Sequence, residues 1–236
     1  MQINGSKVLV TGANRGLGKA FAQELLARGA TAVYAGARRL ESIDIPGVIP
    51  LQLDITDAAS IEAAAAEVGE LDILINNAGI STEAPLLGPS VDNIRREFET
   101  NFWGTLNVTR AFAPRLAGGA ILNVISALSW YAFAPSSNGY AASKAAEWSL
   151  TNGVRLELAD QKTQVTALAL AIADTDMMAG VDIPKLPPRE VVVQALDGLE
   201  AGRLEVVADK PTANVKASLS ADPADFYADI PAALFS

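Results

Sequence analysis

Short apolar runs alternate along the chain with longer segments in which hydrophobic and polar residues are mixed. Most of the short runs are continuously hydrophobic, which is expected for parallel strands that are covered on both faces. The pattern predicts strands at Lys7–Val10, Thr31–Ala35, Val48–Leu53, Leu71–Ile75, Ala120–Ile125, Val165–Leu170 and Leu204–Val207.

The segments between these strands have the spacing of amphipathic helices. Gly29 stands where a left-handed residue ends a helix, and Thr56 and Asp57 are candidates to cap the next one. Strands that alternate with helices imply right-handed crossovers and therefore an α/β fold with a doubly wound parallel sheet. Because no repeat or linker interrupts the alternation, we predict a single domain over residues 1–236. The predicted helices are Leu17–Arg28, Ala58–Val68, Val91–Leu116, Gly139–Ala159 and Arg189–Ala201.

The composition excludes several kinds of chemistry. The chain has 236 residues, of which 50% are hydrophobic and 19% are charged, and this composition is typical of a globular domain. It has no cysteine, which excludes disulfides, thiol catalysis and thiolate metal sites. It has no histidine, so acid–base chemistry must use Tyr, Lys, Asp, Glu or water, and we expect no metal. The net charge of -9 argues against nucleic acid as a partner.

One long stretch, residues 116–143, carries no Asp, Glu, Lys or Arg. A transmembrane helix needs ~20 mostly apolar residues, but glycines, Asn123, Pro135 and the polar run 136–139 interrupt this stretch. We predict that it forms a short strand and a loop in the buried interior around a site. The N-terminus carries no targeting signal, so we expect a cytoplasmic protein with no membrane partner.

The first predicted strand leads into Thr11–Gly18, which has three glycines and stands directly before a helix. Glycines at a strand-to-helix turn let the backbone approach a pyrophosphate closely, and the helix N-terminus offers unpaired N–H groups. The spacing Gly-x-x-x-Gly-x-Gly differs from the common dinucleotide fingerprint, and an ordinary glycine turn is the alternative. The strand before the turn and the helix after it favour nucleotide binding.

The end of the second strand bears on the choice of nucleotide. A site that selects NAD usually has an acid about 20 residues after the glycine loop, which holds the ribose 2′-hydroxyl. Here the strand ends in small residues followed by Arg38 and Arg39, and Arg15 lies inside the glycine loop. Guanidinium groups suit a 2′-phosphate, so we expect NADP(H) rather than NAD(H), with solvated loop arginines as the alternative.

Two further strand ends carry candidate nucleotide contacts. Asp54 could accept a hydrogen bond from the adenine amino group, with Ile55 against the ring, unless Asp54 only caps the next helix. The fourth strand ends in Asn76–Gly79. Its amides could tie strand ends together and its glycine could admit the cofactor, although Asn and Gly are also ordinary turn residues.

Tyr140 and Lys144 are the candidates for acid–base chemistry. In a helix, residues four apart share a face, so the phenol and the ammonium can meet at one point. Free tyrosine has a pKa of about 10, and an adjacent cation favours the phenolate. We therefore expect the pKa of Tyr140 to move toward neutrality, as a general acid or base requires. The spacing alone is weak evidence.

Ser126 and Asn101 are weaker candidates. Ser126 ends the fifth strand, and its hydroxyl could donate to a substrate carbonyl oxygen, although serines end many strands and Ser129 lies nearby. Asn101 lies within a predicted helix, which is unfavourable for asparagine unless its side chain has a partner.

Together these residues resemble the short-chain dehydrogenase/reductase (SDR) superfamily in its compact, single-domain form. The resemblance covers about residues 5–208 and implies a Rossmann-like, doubly wound sheet of seven parallel strands, order 3-2-1-4-5-6-7, with helices on both faces. Each motif is weak alone, but the motifs occur in the family's order. They are Thr11–Gly18, Asp54, Asn76–Gly79, Asn101, Ser126 and Tyr140-x-x-x-Lys144.

The resemblance also implies an activity, the NADP(H)-dependent interconversion of a carbonyl, in a ketone or aldehyde, and an alcohol by hydride transfer. Ser126 would hold the carbonyl oxygen and Tyr140 would protonate it. Lys144 would lower the tyrosine pKa and bind the nicotinamide ribose, and Asn101 would position a water that links Lys144 to solvent. The nucleotide would contact Thr11, Gly12, Asn14, Arg15, Gly16, Leu17, Gly18, Arg38, Asp54, Ile55, Asn77, Ala78, Gly79, Tyr140, Lys144 and Thr175.

Two other functions are alternatives, a catalytically silent NADP(H)-binding regulatory protein and an SDR-type dehydratase or epimerase. The retained Tyr140 and Lys144 argue against the first, and the short segment after the last strand is too small for the substrate domain of the second. The resemblance further implies a homodimer or homotetramer. Candidate interface residues, unless they pack in the core, are Trp103, Phe112 and Trp148.

The chain departs from the family pattern at two places. The family usually has Pro-Gly after the sixth strand, where this chain has Ala171–Ala173, so the seating of the nicotinamide is in question. Ser126 also lies one residue further from Tyr140 than is usual. Either the loop between them carries an extra residue, which we favour, or Ser126 is misassigned.

The segment Asp174–Pro188 would be a lid that hinges near Gly180 over an apolar substrate pocket. We expect a small apolar carbonyl or alcohol as the substrate. The C-terminal tail, about residues 209–236, could cover the site, pack at an interface or do neither. The expected pocket residues are Leu128, Trp130, Tyr131 and Phe133 together with Met177, Met178, Val181, Ile183 and Leu186 of the lid, although for Tyr131 packing is the favoured interpretation.

Overall fold

Parallel strands form one sheet in the computed structural model, which describes residues 1–180 and 182–228. Within these residues the sheet has seven strands, and the strand predictions are confirmed to within two residues at each end. The strands are β1 (Lys7–Thr11), β2 (Ala32–Ala37), β3 (Ile49–Gln52), β4 (Ile73–Asn76), β5 (Ala120–Val124), β6 (Gln164–Ala169) and β7 (Glu205–Val207).

The five predicted helices are present, one of them with an interruption, and a further helix in the C-terminal tail, Lys210–Ala217, was not predicted. Gly29 follows the first helix with a φ of +82°, and the Asp57 side chain accepts a hydrogen bond from the Ala59 N–H at the start of the second. Both observations confirm the predicted helix ends. The helices are α1 (Gly16–Ala27), α2 (Ala58–Val68), α3 (Asp92–Phe98), α4 (Thr105–Phe112), α5 (Asn138–Glu157), α6 (Pro188–Glu200) and α7 (Lys210–Ala217).

The order of the strands confirms the doubly wound fold. Across the sheet the strands run β3-β2-β1-β4-β5-β6-β7, and every neighbouring pair is parallel. The chain winds outward from β1 to β3, returns to the middle and winds the other way from β4. The connections after β1 and β4 therefore leave in opposite directions and open a crevice at the carboxyl ends of these strands.

Apolar side chains cover the sheet on both faces. Along β1, Val8 and Val10 point to one face and Leu9 to the other, as the alternation of a strand requires. The first face packs against Phe21 of α1 and residues of α6, and the second packs against Phe112 of α4 and residues of α2. Burial on both faces explains why the strand sequences are continuously hydrophobic.

The predicted helix Val91–Leu116 is interrupted by a wider turn. A π-helical segment, Glu99–Gly104, separates α3 from α4. Its last residue, Gly104, packs closely on Ile55, which follows β3. A Cβ at position 104 would lie 2.7 Å from the Ile55 side chain, so this contact requires glycine. Such π segments often occur at functional sites, and Asn101 lies inside this one.

The uncharged stretch forms a strand and a loop, as predicted. It contains β5 and two short 3₁₀ turns before α5 begins at Asn138. Among residues 1–180 and 182–228, no helix combines the length and apolar character that crossing a membrane requires.

The three aromatic residues proposed for an interface differ in exposure. Phe112 is fully buried, so its place is in the core and the interface assignment is wrong for this residue. Trp103 and Trp148 are 48% and 37% exposed, so core packing does not account for them. The homodimer or homotetramer stays a prediction.

The described part of the C-terminal tail packs on the loop that follows β5. Val215 of α7 and Phe226, in a helical turn at 223–228, form a small apolar cluster with Ala127 and Tyr131. The Tyr227 hydroxyl accepts a hydrogen bond from the Ala132 N–H at 3.3 Å. The tail therefore supports this loop, while residues 229–236 of the predicted tail lie outside the described part.

The glycine turn between β1 and α1 depends on close backbone contacts. Gly12 and Gly16 have φ values of +63° and +53°, which favour glycine. A Cβ on Gly18 would lie 2.1 Å from the Gly12 carbonyl oxygen and 2.6 Å from the Asn77 amide nitrogen. Only glycine at position 18 therefore lets α1 start this close to the turn.

We expect Gly18→Ala to destabilise the protein, because the new methyl group would meet backbone that cannot move without opening the turn. The free energy of unfolding should fall by about 1–3 kcal/mol, the usual cost of overpacking. Urea denaturation followed by circular dichroism measures this change. Gly153→Ala in α5 is the matched control, since nothing lies within 4 Å of its Cβ position, and it should be neutral or slightly stabilising. Equal stabilities of the two variants would contradict the prediction.

Candidate active site

A cleft of about 1590 Å³ opens at the carboxyl edge of the sheet. Its lining includes Arg38 and Arg39 after β2, Tyr140 of α5, and residues 175–178 and 183–186 of the predicted lid. Three predicted site residues, Thr11, Gly18 and Asn101, are buried and do not line the cleft. The predicted site residues that line it are Gly12, Asn14, Arg15, Gly16, Leu17, Arg38, Asp54, Ile55, Asn77, Ala78, Gly79, Ser126, Tyr140, Lys144 and Thr175.

Thr11 and Asn77 join the glycine turn to the end of β4. The Thr11 hydroxyl accepts hydrogen bonds from the backbone N–H groups of Asn77 and Ala78, each at 3.0 Å. The Asn77 amide donates to the carbonyl oxygens of Thr11 and Gly12, at 2.9 and 3.2 Å. The expectation that these amides tie strand ends together is therefore confirmed. Thr11 holds the end of β4 in place without lining the cleft itself.

Arginines surround the end of the cleft next to β2. Arg38 and Arg39 are exposed, and Ser42 lines the cleft beside them. Arg15, from the glycine turn, forms an exposed ion pair with Asp176 at 3.3 Å. The last residues of β2, Gly36 and Ala37, carry no acid, and the nearest carboxylate to Arg39 is that of Glu41 at 3.9 Å, exposed to solvent.

Asp54 lines the cleft but already has local partners. Its carboxylate accepts hydrogen bonds from the backbone N–H and the hydroxyl of Thr56, at 3.0 and 2.7 Å. Asp57, not Asp54, caps α2. The alternative prediction, that Asp54 only caps this helix, is therefore wrong. Ile55 is buried beside it and lines the cleft.

Tyr140 stands at the other end of the cleft, in the first turns of α5. The nitrogen of Lys144 lies 5.9 Å from the centre of its ring. Ser126 lies against the phenol, and its oxygen accepts a hydrogen bond from the Leu128 N–H at 3.1 Å. The Ser129 hydroxyl instead accepts from the Ser126 N–H at 3.2 Å and does not line the cleft. The geometry thus supports Ser126 as the serine beside Tyr140.

The pKa of Tyr140 is raised above its usual value, not lowered. Burial of the phenol is the largest cause, and it opposes the charged phenolate. Lys144 and the Ser126 hydroxyl lower the pKa, while the carboxylates of Glu147 and Glu97 raise it. The expectation for the effect of Lys144 has the right sign, but the expected net shift toward neutrality is wrong for this structure because burial outweighs the ammonium.

The ammonium of Lys144 is buried and paired. Its nitrogen lies 2.6 Å from a carboxylate oxygen of Glu147 and donates to the Val124 carbonyl at 2.9 Å. Burial lowers the pKa of Lys144, but the charges of Glu147 and Tyr140 raise it and the net direction is upward. Lys144 therefore remains a cation beside Tyr140.

Asn101 is fully buried and uses both of its side-chain groups. Its oxygen accepts from the Ile80 N–H at 2.9 Å, and its nitrogen donates to the Ile80 carbonyl and the Ser143 hydroxyl, each at 2.9 Å. The side chain thus holds the loop after β4 against α5. These partners compensate for the low helix propensity of asparagine at this position. Its role toward a water molecule stays a prediction.

Backbone hydrogen bonds hold the turn that lacks Pro-Gly. The Ala171 N–H donates to the Asp209 carboxylate at 2.8 Å, and Asp209 also caps α7. The N–H of Leu186 donates to the Ile172 carbonyl, and that of Asp174 donates to the Leu186 carbonyl, each at 2.9 Å. The predicted lid therefore starts and ends at one point; its movement stays a prediction.

The wall around Tyr140 is largely apolar. Trp130 does not line the cleft, contrary to expectation, because its ring packs beside Ile125 and under the ammonium of Lys216. Tyr131 lines the cleft and also packs against Phe226, with a pKa raised to about 12 by burial and then by the charge of Asp209. Val181 lies outside the described residues. The remaining predicted pocket residues all line the cleft: Leu128, Phe133, Met177, Met178, Ile183 and Leu186.

Two buried carboxylates near Tyr140 are not among the predicted site residues. Glu147 lies three residues after Lys144, a spacing that brings side chains together on a helix and could have been noticed in the sequence. Glu97 accepts hydrogen bonds from the N–H and the hydroxyl of Thr82, at 2.7 and 3.0 Å. Its burial depends on the packing of α3 on α5, which no local pattern reveals.

The cleft fits a nicotinamide dinucleotide. The backbone is bare where such a group must approach, since a Cβ on Gly79 would lie 3.5 Å from the Lys144 nitrogen and one on Gly12 would lie 3.0 Å from the Ala78 Cα. The start of α1 has no side-chain cap and no acid in its first turn, so its N–H groups remain available to a phosphate.

Comparison with known proteins agrees with this geometry. A family model described as short chain dehydrogenase matches residues 6–184. A D-erythrulose reductase from Gallus gallus is 34% identical over 185 residues, which cover 75% of this chain and 75% of that protein. The L-xylulose reductase of Homo sapiens is 34% identical over 181 residues, covering 73% and 74% of the two chains.

The fold is also that of solved structures. A short chain dehydrogenase from Burkholderia cenocepacia J2315, crystallised in complex with NADP, is 40% identical and superposes with a TM-score of 0.92 over 98% of this chain and 99% of that one. A short-chain dehydrogenase from Streptomyces avermitilis is 25% identical, with a TM-score of 0.84 over 96% and 97% of the chains. The chain described here therefore belongs to the short-chain dehydrogenase family of oxidoreductases.

Proposed function

We propose that the protein is an NADP(H)-dependent oxidoreductase that interconverts a carbonyl group and an alcohol, with Tyr140 as the general acid and base. One observation carries this proposal: Tyr140, Ser126 and Lys144 meet at the same end of a cleft whose other end is lined by the glycine turn and Arg38. A substrate and a dinucleotide can therefore share the cleft with their reactive ends together.

The three residues have distinct roles in this proposal. The hydroxyl of Ser126 accepts a hydrogen bond from the Leu128 N–H and lies against the Tyr140 phenol, so its own proton points to the place where a substrate oxygen would meet that phenol. The phenol of Tyr140 gives its proton to that oxygen during reduction and takes it back during oxidation. Lys144 stabilises the phenolate that forms in between, because its ammonium lies close to the ring.

The bound nicotinamide supplies the hydride for reduction and accepts it in oxidation. Lys144 and the bare backbone at Gly79 would hold its ribose end, and Thr175, which packs beside Gly16, would contact the cofactor near the glycine turn. Asn101 supports this arrangement by fixing the Ile80 backbone from behind.

The preference for NADP(H) over NAD(H) rests on the arginines. Arg38 and Arg39 follow β2 directly, and the strand ends in Gly36 and Ala37, which leave no acid to accept a ribose 2′-hydroxyl. A guanidinium favours a 2′-phosphate through charge-assisted hydrogen bonds. The relative from Burkholderia cenocepacia that was crystallised with NADP gives this preference further support.

We propose a small apolar carbonyl compound as the substrate. Several relatives are named for polyhydroxylated compounds, including a sorbitol dehydrogenase and an L-xylulose reductase. Here the cleft beside Tyr140 presents Leu128 and Phe133 from one side and Met177 and Met178 from the other. The hydroxyl groups of a polyhydroxylated substrate would lack hydrogen-bond partners against such side chains, so this wall favours an apolar substrate.

Tyr140→Phe should abolish carbonyl reduction, because the ring keeps its shape but loses the proton donor. A loss of about 100-fold or more in kcat is expected for a missing general acid. NADPH oxidation followed by absorbance measures turnover, and NADPH fluorescence measures binding, which should change little. Tyr34→Phe is the matched control, since Tyr34 does not line the cleft. A Tyr140→Phe variant that keeps full activity would refute the proposed mechanism.

Arg38→Asp should reverse the preference between the two nucleotides. The carboxylate repels a 2′-phosphate and can accept a hydrogen bond from a 2′-hydroxyl, so the ratio of kcat/KM for NADPH to that for NADH should fall roughly tenfold or more. Arg110→Asp on α4 makes the same charge change away from the cleft. An unchanged ratio in Arg38→Asp would show that Arg38 does not read the 2′-phosphate.

Wild-type protein should prefer apolar carbonyls over sugar-like ones. We expect kcat/KM to be roughly tenfold or more higher for aliphatic and aromatic aldehydes or ketones than for erythrulose or xylulose, since each unpaired buried hydroxyl costs about 1–3 kcal/mol. Met178→Gln, which places an amide in the apolar wall, should narrow this difference. A preference for the polyhydroxylated compounds would contradict the apolar assignment.

A further inference from the structure

Glu147 is a buried carboxylate that the proposed mechanism does not use. Only 1% of its side chain is exposed, against 4% for Lys144, and one of its oxygens lies 2.6 Å from the Lys144 nitrogen. Burial raises the pKa of Glu147, against the Lys144 ammonium and a hydrogen bond with the Thr105 hydroxyl of the neighbouring helix α4, which lower it. An acid is costly to bury, so its place next to the lysine of the site needs an explanation.

The contacts of Lys144 show how Glu147 acts on it. An ammonium has three donors. One of them bonds to the Val124 carbonyl and one bonds to Glu147. The third has no hydrogen-bond partner among the described residues, and the nitrogen lies 3.5 Å from the Cβ position of Gly79 at the cleft. Glu147 and Val124 thus fix the nitrogen so that one N–H remains for the cleft.

We propose that Glu147 is a positioning residue that orients the Lys144 ammonium and sets the pH at which the Tyr140–Lys144 pair loses its proton. The proposal rests on the proposed function of Tyr140 as the acid in carbonyl reduction. Its effect is to keep the phenol protonated up to a higher pH and so to extend the range in which the protein reduces carbonyls.

Few charged groups face this pair. Lys144 faces Glu147 on its own helix and Tyr140 one turn earlier. Tyr140 also faces the carboxylate of Glu97, which comes from α3, and the uncharged hydroxyl of Ser126. Apart from Glu97, the charge of the cluster is therefore that of Tyr140, Lys144 and Glu147 within the described residues.

The sign of the effect follows from the net charge. With Glu147 ionised, the trio of Tyr140, Lys144 and Glu147 is neutral while the phenol is protonated, and losing a proton leaves a buried negative charge. Without that carboxylate, losing the same proton takes a buried positive charge to neutrality, which burial favours. The proton should then leave at a lower pH, whether the phenol or the ammonium releases it.

The pKa directions agree with this charge argument. Glu147 raises the pKa of both Tyr140 and Lys144. Lys144 in turn lowers the pKa of Glu147, against the larger effect of burial, which raises it. The carboxylate next to Lys144 therefore opposes loss of a proton from each of its two neighbours.

Glu147→Gln tests the proposal, because it keeps the size of the side chain and removes its charge. The alkaline limb of kcat/KM for carbonyl reduction should move to lower pH by roughly 1 to 3 units, the range for a nearby charge. The phenolate absorbance of Tyr140, taken as the difference from Tyr140→Phe without added nucleotide, should appear at correspondingly lower pH. This second measurement does not depend on turnover.

Two matched variants separate the charge from the substitution. Glu157→Gln makes the same change at the exposed end of α5, and its pH profile should coincide with that of the wild type. Glu147→Asp keeps the charge and should return both profiles toward the wild type.

Each outcome decides one question. If Glu147→Gln folds and both of its profiles match the wild type, the proposed role of Glu147 is wrong, while loss of activity in Tyr140→Phe would still support the proposed function. If instead Tyr140→Phe retains activity, the proposed function fails regardless of Glu147. If Glu147→Asp, which keeps the carboxylate, shifts both profiles as far as Glu147→Gln does, the charge at position 147 is not what sets them and the proposal is overturned.

Discussion

The whole site depends on the seam between β1 and β4, where the two halves of the fold meet. These strands are paired in parallel, but their following connections leave in opposite directions. The Thr11 hydroxyl and the Asn77 amide hydrogen-bond across the seam to backbone groups. They set the distance between the glycine turn, which suits a pyrophosphate, and the loop at Gly79, which lies beside Lys144. This seam thus keeps the two halves of the cleft in register, which the proposed binding of a nucleotide across them requires.

Buried polar groups connect the sheet to α5, which carries Tyr140 and Lys144. Asn76 of β4 donates to the Asn123 side chain at 2.9 Å, and Asn123 donates to the Thr151 hydroxyl at 2.9 Å. Thr151 in turn donates to the Glu147 carbonyl at 2.8 Å. Because unpaired polar groups are costly to bury, this chain of bonds admits one placement of α5 on the sheet. The position of α5 is thus specified by polar contacts as well as by apolar packing.

Much of the fold could be predicted from the sequence, because its signals are local. Continuous apolar runs such as 120–124 mark strands that are covered on both faces, and Gly29 and Asp57 mark helix ends through their own backbone preferences. The order of the strands and the roles of the motifs came from the resemblance to a family. The π-helical break in the third helix was not predicted; Gly104, at its end, packs closely on Ile55, which is distant in the sequence, and such contacts leave no local pattern.

The sequence by itself determined which chemical groups are available: a chain without cysteine or histidine, a glycine-rich turn, arginines after the second strand, and a tyrosine four residues before a lysine. Only the tertiary structure decided their environment. It buries Lys144 with Glu147, excludes Trp130 from the cleft, and raises the pKa of Tyr140 where its neighbour alone suggested the opposite. Burial and net charge depend on every element packed around a group, and spacing along one helix cannot supply that information.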